Sequence, residues 1–266
     1  MHPYLSGVLR VVNLKSLLIS ILAVLSTWLC LHFHIKADFP LTLIATAIVF
    51  PLVFSISTAY ARREKSLEEY GALKANGRAL VLASKDWTDK GDPDRDALIR
   101  QALLQLFTAC RSMVMSPLDE RDTHEAVVLR SFARLSKGVE GMRAGGLSPT
   151  ECSRANQYLT RMMTAFENIK HIHKYRTPRT LRAFSDFFIL ILPIIYGPFF
   201  AYQAEGFRKE LFFVMPILFA LILTGLSNIQ DDLENPFDQI GEDDVAIDPD
   251  RFILTLDGLA ADDKDG

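Results

Sequence analysis

The sequence predicts an all-α integral membrane protein with four transmembrane helices and a cytoplasmic helical domain. Three observations predict it. Four stretches hold no Asp, Glu, Lys or Arg and come close to the roughly 20 apolar residues that a bilayer crossing needs: Ser16–Ile35, Phe39–Tyr60, Phe187–Gln203 and Leu211–Gln230. Of 29 Lys and Arg, 22 fall between Ala61 and Ala183. That same middle segment carries helical periodicity and helix-capping signals. A composition of 49% hydrophobic and 23% charged residues suits a soluble chain equally well; it is the segregation of the two that points to a membrane. The predicted divisions are 1–60 (an N-terminal segment and the first two spans), 61–183 (the cytoplasmic helical region), 184–230 (the last two spans) and 231–266 (an acidic cytoplasmic tail).

In chain order, Tyr4, Leu5, Val8, Val11 and Val12 give the first 15 residues the pattern of a short interfacial helix. Arg10 and Lys15 ahead of an apolar run resemble a secretory signal, but the run is too long and lacks a small-x-small cleavage site, so it reads as a retained span. His32 and His34 are two apart. On a helix they diverge by about 200°, so they read as interfacial anchors, not a metal pair. Pro51 predicts a kink in the second span.

Arg62 to Asp86 continues the second span with no break signal. Asp86–Asp94 is a turn-rich connector whose acids lack the D-x-D-x-D-G spacing of a calcium loop. Arg95 to Met115 is an amphipathic helix ended by Ser116-Pro117. Asp122 with Glu125 three residues on opens a helix that fades at Gly145-Gly146. Ser148-Pro149-Thr150-Glu151 is a capping box with proline at the first helical position. It opens a helix with Tyr158, Met162, Phe166, Ile169 and Ile172 on one face, which reads as core; His171 and His173 read as structural or solvated. Pro193 and Gly197-Pro198 predict a kinked or partly unwound third span, with Asp186 at its cytoplasmic edge near Arg182. The fourth span leads into a tail with 13 acidic and 2 basic residues after Gln230, which reads as solvated and disordered at its end.

Charge fixes the topology. Arg62, Arg63, Lys65, Arg176, Arg179 and Arg182 flank the middle segment, which the positive-inside rule places in the cytoplasm together with both termini. Cys30, Cys110 and Cys152 are odd in number and far apart, so they read as free thiols. The sequence holds no metalloprotease, nucleophile-elbow or phosphate-loop motif and no paired CxxC. Nothing points to an enzyme, a metal or another cofactor. The middle segment also lacks the basic and aromatic clustering of a nucleic-acid binder.

One stripe stands apart. Thr42, Thr46, Phe50, Phe54 and Thr58 recur at every fourth position of the second span and so share one helix face. Around a symmetry axis, such faces would form a narrow apolar constriction of the kind that gates by dewetting. Spacing alone equally allows both phenylalanines to pack against the other spans.

The run Phe54-Ser-Ile-Ser-Thr-Ala-Tyr60-Ala-Arg62-Arg63 resembles the bestrophin pattern of Phe, a short polar run, then Tyr-x-Arg-Trp. Gly71-Ala72 sits where that family has Trp-Gly. Thr177-Pro178-Arg179-Thr180 resembles its Thr-Pro-x-Pro segment, and Glu234-Asn-Pro-Phe237 resembles the segment after its last span. The landmarks come in family order from about Leu43 to Asp250. This resemblance, to bacterial-type members in particular, implies a homopentameric ion channel in the inner (plasma) membrane, conducting passively through a central pore. It places a neck on Thr46, Phe50 and Phe54, with Thr46 polar where an aliphatic residue is common, and a cytoplasmic aperture on Arg179. Five arginines there would favour anions such as chloride. The rival reading is a membrane-anchored scaffold that conducts nothing.

Overall fold

The computed structural model describes residues 12–38, 40–88, 92–117, 120–175, 178–204, 212–237 and 244–261. The interfacial helix expected over the first 15 residues lies mostly outside them, as does the end of the tail from Asp262. Nine α-helices form among the described residues: α1 (Leu14–His32), α2 (Leu41–Asp86), α3 (Pro93–Met115), α4 (Arg121–Ala144), α5 (Pro149–Lys174), α6 (Arg179–Ile195), α7 (Gly197–Gln203), α8 (Val214–Glu234) and α9 (Pro249–Ala261). They divide into two compact units, Met1–Ala61 with Arg176–Asn235, and Arg62–Tyr175 with Pro236–Gly266.

The first unit holds the spans. Helices α1, α2 and α8 are each long and apolar enough to cross a membrane, and α6 with α7, bent by 41° at their break, meets the same measure when the pair is taken as one span. Asn13 caps α1 by accepting a hydrogen bond from the Ser16 amide at 3.1 Å. The core joins Ile19 and Ala23 of α1, Ile48 and Leu52 of α2, Ile189 and Leu192 of α6, and Ala220 and Leu223 of α8. Inside hydrocarbon every polar group needs an internal partner, and three of the buried hydroxyls find theirs one turn back. Ser20 donates to the Ser16 carbonyl, Thr27 to that of Ala23 and Thr224 to that of Ala220, each at 2.8 Å.

The break in the third span has an identifiable chemistry. Pro198 has no N–H, so the Ile194 carbonyl four residues earlier loses its helical donor. Ser26 of α1 supplies one, its Oγ lying 2.6 Å from that oxygen. Gly197 makes the approach possible, since a Cβ there would meet the Ser26 backbone carbon at 3.0 Å and its hydroxyl closer still.

The second unit is built from the later part of α2 with α3, α4, α5 and α9. The capping box is formed: Glu151 N donates to Ser148 Oγ and Ser148 N to Glu151 Oε2, each at 3.3 Å, with Pro149 opening α5. The cap expected at Asp122 is not. Helix α4 starts two residues earlier, at Arg121 behind Glu120, with no side-chain cap. Gly138 lets α4 approach α3 closely, since a Cβ there would lie 2.6 Å from Ile99 Cγ1. Arg95, 5% exposed, is held by Ser84 Oγ at 3.1 Å, the Ser84 carbonyl at 3.0 Å, Thr88 Oγ1 at 3.0 Å and the Asp96 carboxylate at 3.6 Å. Cys30, Cys110 and Cys152 are free and buried; burial pushes the Cys110 thiol up to about 12, so it is unreactive at neutral pH.

The solvated-tail reading is corrected. Phe237, Val245, Ile247, Phe252 and Leu256 are all buried in the core of this unit. The Phe252 ring lies 4.4 Å from that of Phe107. The Asp248 amide donates to the Tyr70 hydroxyl at 3.1 Å, and the Val245 amide to the Pro236 carbonyl at 2.7 Å. The acids lie between these anchors and hid them from a reading of net charge.

Candidate pore helix

Helix α2 has 46 residues, long enough to extend about 69 Å. Within the first unit it presents two unlike faces. Ile48, Leu52, Ser55 and Ala59, spaced by four, three and four, are buried. Thr42, Thr46, Phe50, Phe54 and Thr58 are exposed, Phe50 to 62% and Phe54 to 58%. Phe50 lies about 200° around the helix from Ile48, as Phe54 does from Leu52. The packing explanation of the stripe therefore fails within the chain: neither phenylalanine is covered by the other spans. The two rings meet each other edge-on, with centroids 4.7 Å apart and planes at 68°, a preferred aromatic geometry.

The threonines do not make this face hydrophilic. Thr46 Oγ1 donates to the Thr42 carbonyl at 2.6 Å, and Thr58 Oγ1 to the Phe54 carbonyl at 2.9 Å. A hydroxyl bonded back to its own helix has its donor already satisfied. The polar residues at positions 46 and 58 are thereby partly masked.

Arg179 is the first residue of α6, immediately after Pro178; its side chain and Thr177 lie outside the described residues. One turn later, Arg182 anchors the start of α6. It donates to Asp231 Oδ1 at 2.7 Å and to the Glu234 carboxylate of α8. Asp186, near Arg182 as its i,i+4 spacing suggested, lies 3.9 Å from Arg182 Nε and 3.4 Å from Lys15 Nζ, which also reaches Ser227 Oγ at 3.3 Å. Asn228 donates to Ser16 Oγ at 3.2 Å. This polar cluster ties α1, α6 and α8 together. Sequence reasoning found only its Arg182–Asp186 pair, because the other partners are 49 or more residues apart.

No protein-family model matches the chain, and no curated protein is similar to it in sequence. Solved structures do match. A crystal structure described as a membrane protein, a point variant, superposes with a TM-score of 0.73 at 15% identity, covering 92% of this chain and 99% of that one. A bacterial bestrophin homologue from Klebsiella pneumoniae superposes with a TM-score of 0.69 at 17% identity, covering 94% of this chain and 97% of that one. A point variant of the Klebsiella pneumoniae homologue gives a TM-score of 0.69 at 16% identity over 95% and 97% of the two chains. At such identities the likeness is one of fold, and the fold of this all-helical membrane chain is bestrophin-like.

Proposed function

We propose that this protein is the subunit of an ion channel that conducts passively through a pore shared by several copies. One observation carries the reading: Phe50 and Phe54, with Thr46 on the same stripe, stand exposed on a membrane-spanning helix whose opposite face is buried. A ring of such faces makes a narrow, mostly apolar neck that excludes water until it widens. The bestrophin-like fold supports the same reading, and the resemblance of the sequence to that family supports five copies. It also supports a second constriction at Arg179, where a ring of guanidinium groups would favour anions, chloride among them. The inner (plasma) membrane of a bacterium, with both termini and the segment from Ala61 to Ala183 in the cytoplasm, fits the distribution of Lys and Arg.

The test is flux through purified protein in liposomes under asymmetric salt. The expected result is a current whose reversal potential lies toward the equilibrium potential of the anion. A reversal potential on the cation side would remove Arg179 as the selectivity element and leave the pore standing. A monomer with no flux would make the protein a membrane-anchored scaffold.

A further inference from the structure

A furrow of about 680 Å³ runs along the first unit between α1 and α8. Leu17, Ile21, Leu25 and Trp28 form one wall, and Ile217 and Leu221 the other. Among the described residues, no charged one lines it. Its polar residue, Ser20, already donates to the Ser16 carbonyl at 2.8 Å. The four α1 residues are about half exposed: Leu17 55%, Ile21 53%, Leu25 47% and Trp28 49%.

Three features together decide what fits. The helices on both sides are long and apolar enough to cross a membrane, so the medium that reaches an uncovered furrow between them is hydrocarbon, not water. From Leu17 to Trp28 the helix rises by about 17 Å, close to the roughly 15 Å depth of one leaflet, half of a hydrocarbon core about 30 Å thick. And the walls are bulky. Membrane helices associate through Gly, Ala and Ser, which let backbones approach, whereas Leu, Ile, Val, Trp and Phe line this furrow apart from Ser20. A second helix would seat there less closely than on a stripe of small residues, whereas a thin, flexible hydrocarbon chain fits between bulky side chains. The volume falls within the range of small-molecule sites, about 300–1,000 Å³.

We propose that this furrow holds one acyl chain of a membrane phospholipid as a resident ligand, retained when the protein is extracted into detergent. The inference rests on the membrane-spanning fold and not on conduction.

Trp28 lines the furrow and is one of two tryptophans, the other being Trp87. In a Trp87→Phe background Trp28 is the sole tryptophan reporter. The protein is first stripped of resident lipid by exhaustive detergent exchange and then titrated with phosphatidylcholine brominated on its acyl chains. The expected result is quenching that saturates near one lipid per chain. Filling the furrow by Ile21→Phe or by Ile217→Phe should abolish that saturable phase, while Leu22→Phe, which lies outside the lining, should leave it intact. Quenching that grows only in proportion to bulk lipid and ignores both filling variants would mean boundary lipid and would overturn the proposal. So would an unquenched Trp28, the result expected if a second copy covers the furrow. The titration without the filling variants is decisive should either fail to fold.

Discussion

Replacing Phe50 and Phe54 together with alanine is expected to raise the conductance of the reconstituted protein severalfold and to weaken gating that depends on a dry neck. The physical reason is local. An apolar constriction holds its barrier through side-chain bulk that keeps water out, and the double substitution removes both rings from every subunit. Each ring is more than half exposed in the chain, so its loss opens no cavity in the core, and the buried face of Ile48, Leu52 and Ala59 is untouched. The variant should therefore fold and assemble as the parent does, so that a changed current reports the pore and not a damaged subunit. Single-channel recording in planar bilayers makes the measurement. Currents like those of the parent, from a variant of the same oligomeric size, would remove Phe50 and Phe54 from the ion path.

The second large effect is on stability. Arg182→Ala should leave Glu234, whose side chain is only 6% exposed, without the guanidinium it now grips. Breaking a fully buried ion pair costs about 3–5 kcal/mol. Here Arg182 is 43% exposed, and solvent screens that end of the pair. A loss of about 2–3 kcal/mol is expected, read as a lowered unfolding midpoint in detergent. Restoring neutrality with Glu234→Gln in the Arg182→Ala background should recover part of it, because the penalty lies in the stranded carboxylate. A double variant as unstable as the single one would assign the loss to packing of the arginine stem. Arg182 lies one turn from Arg179, so the same variant should also loosen the segment proposed as the aperture.

How much of this was legible in the sequence depends on the range of the interaction. The spans, the capping box at Ser148 and the break at Gly197-Pro198 are all set by residues a few positions apart; the box and the break formed where the spacing placed them, and apolar helices formed over the spans with ends shifted by a few residues. The donor that satisfies the broken third span, Ser26, lies 168 residues from Ile194, and nothing in its own neighbourhood marks it. The core residues of the tail, from Phe237 to Leu256, are irregularly spaced among acids, so neither periodicity nor net charge revealed them. The stripe at Thr46, Phe50 and Phe54 was visible at once. Its meaning was not, because a packed face and a pore face share the same spacing; exposure in the folded chain shows that the other spans do not cover it, and the pore role is the proposal made above. The back-bonded Thr46 hydroxyl likewise needed coordinates, since threonine in a helix can turn its oxygen either way.

Thiol accessibility at Phe54 tests the pore helix most directly. The three native cysteines are buried, so a single exposed thiol can be introduced against a quiet background. In Phe54→Cys channels, a charged, water-soluble methanethiosulfonate reagent should change the current irreversibly, while Leu22→Cys, exposed on α1 away from the stripe, should give no change. A Phe54→Cys current that the reagent leaves untouched would contradict a water-filled path past this residue.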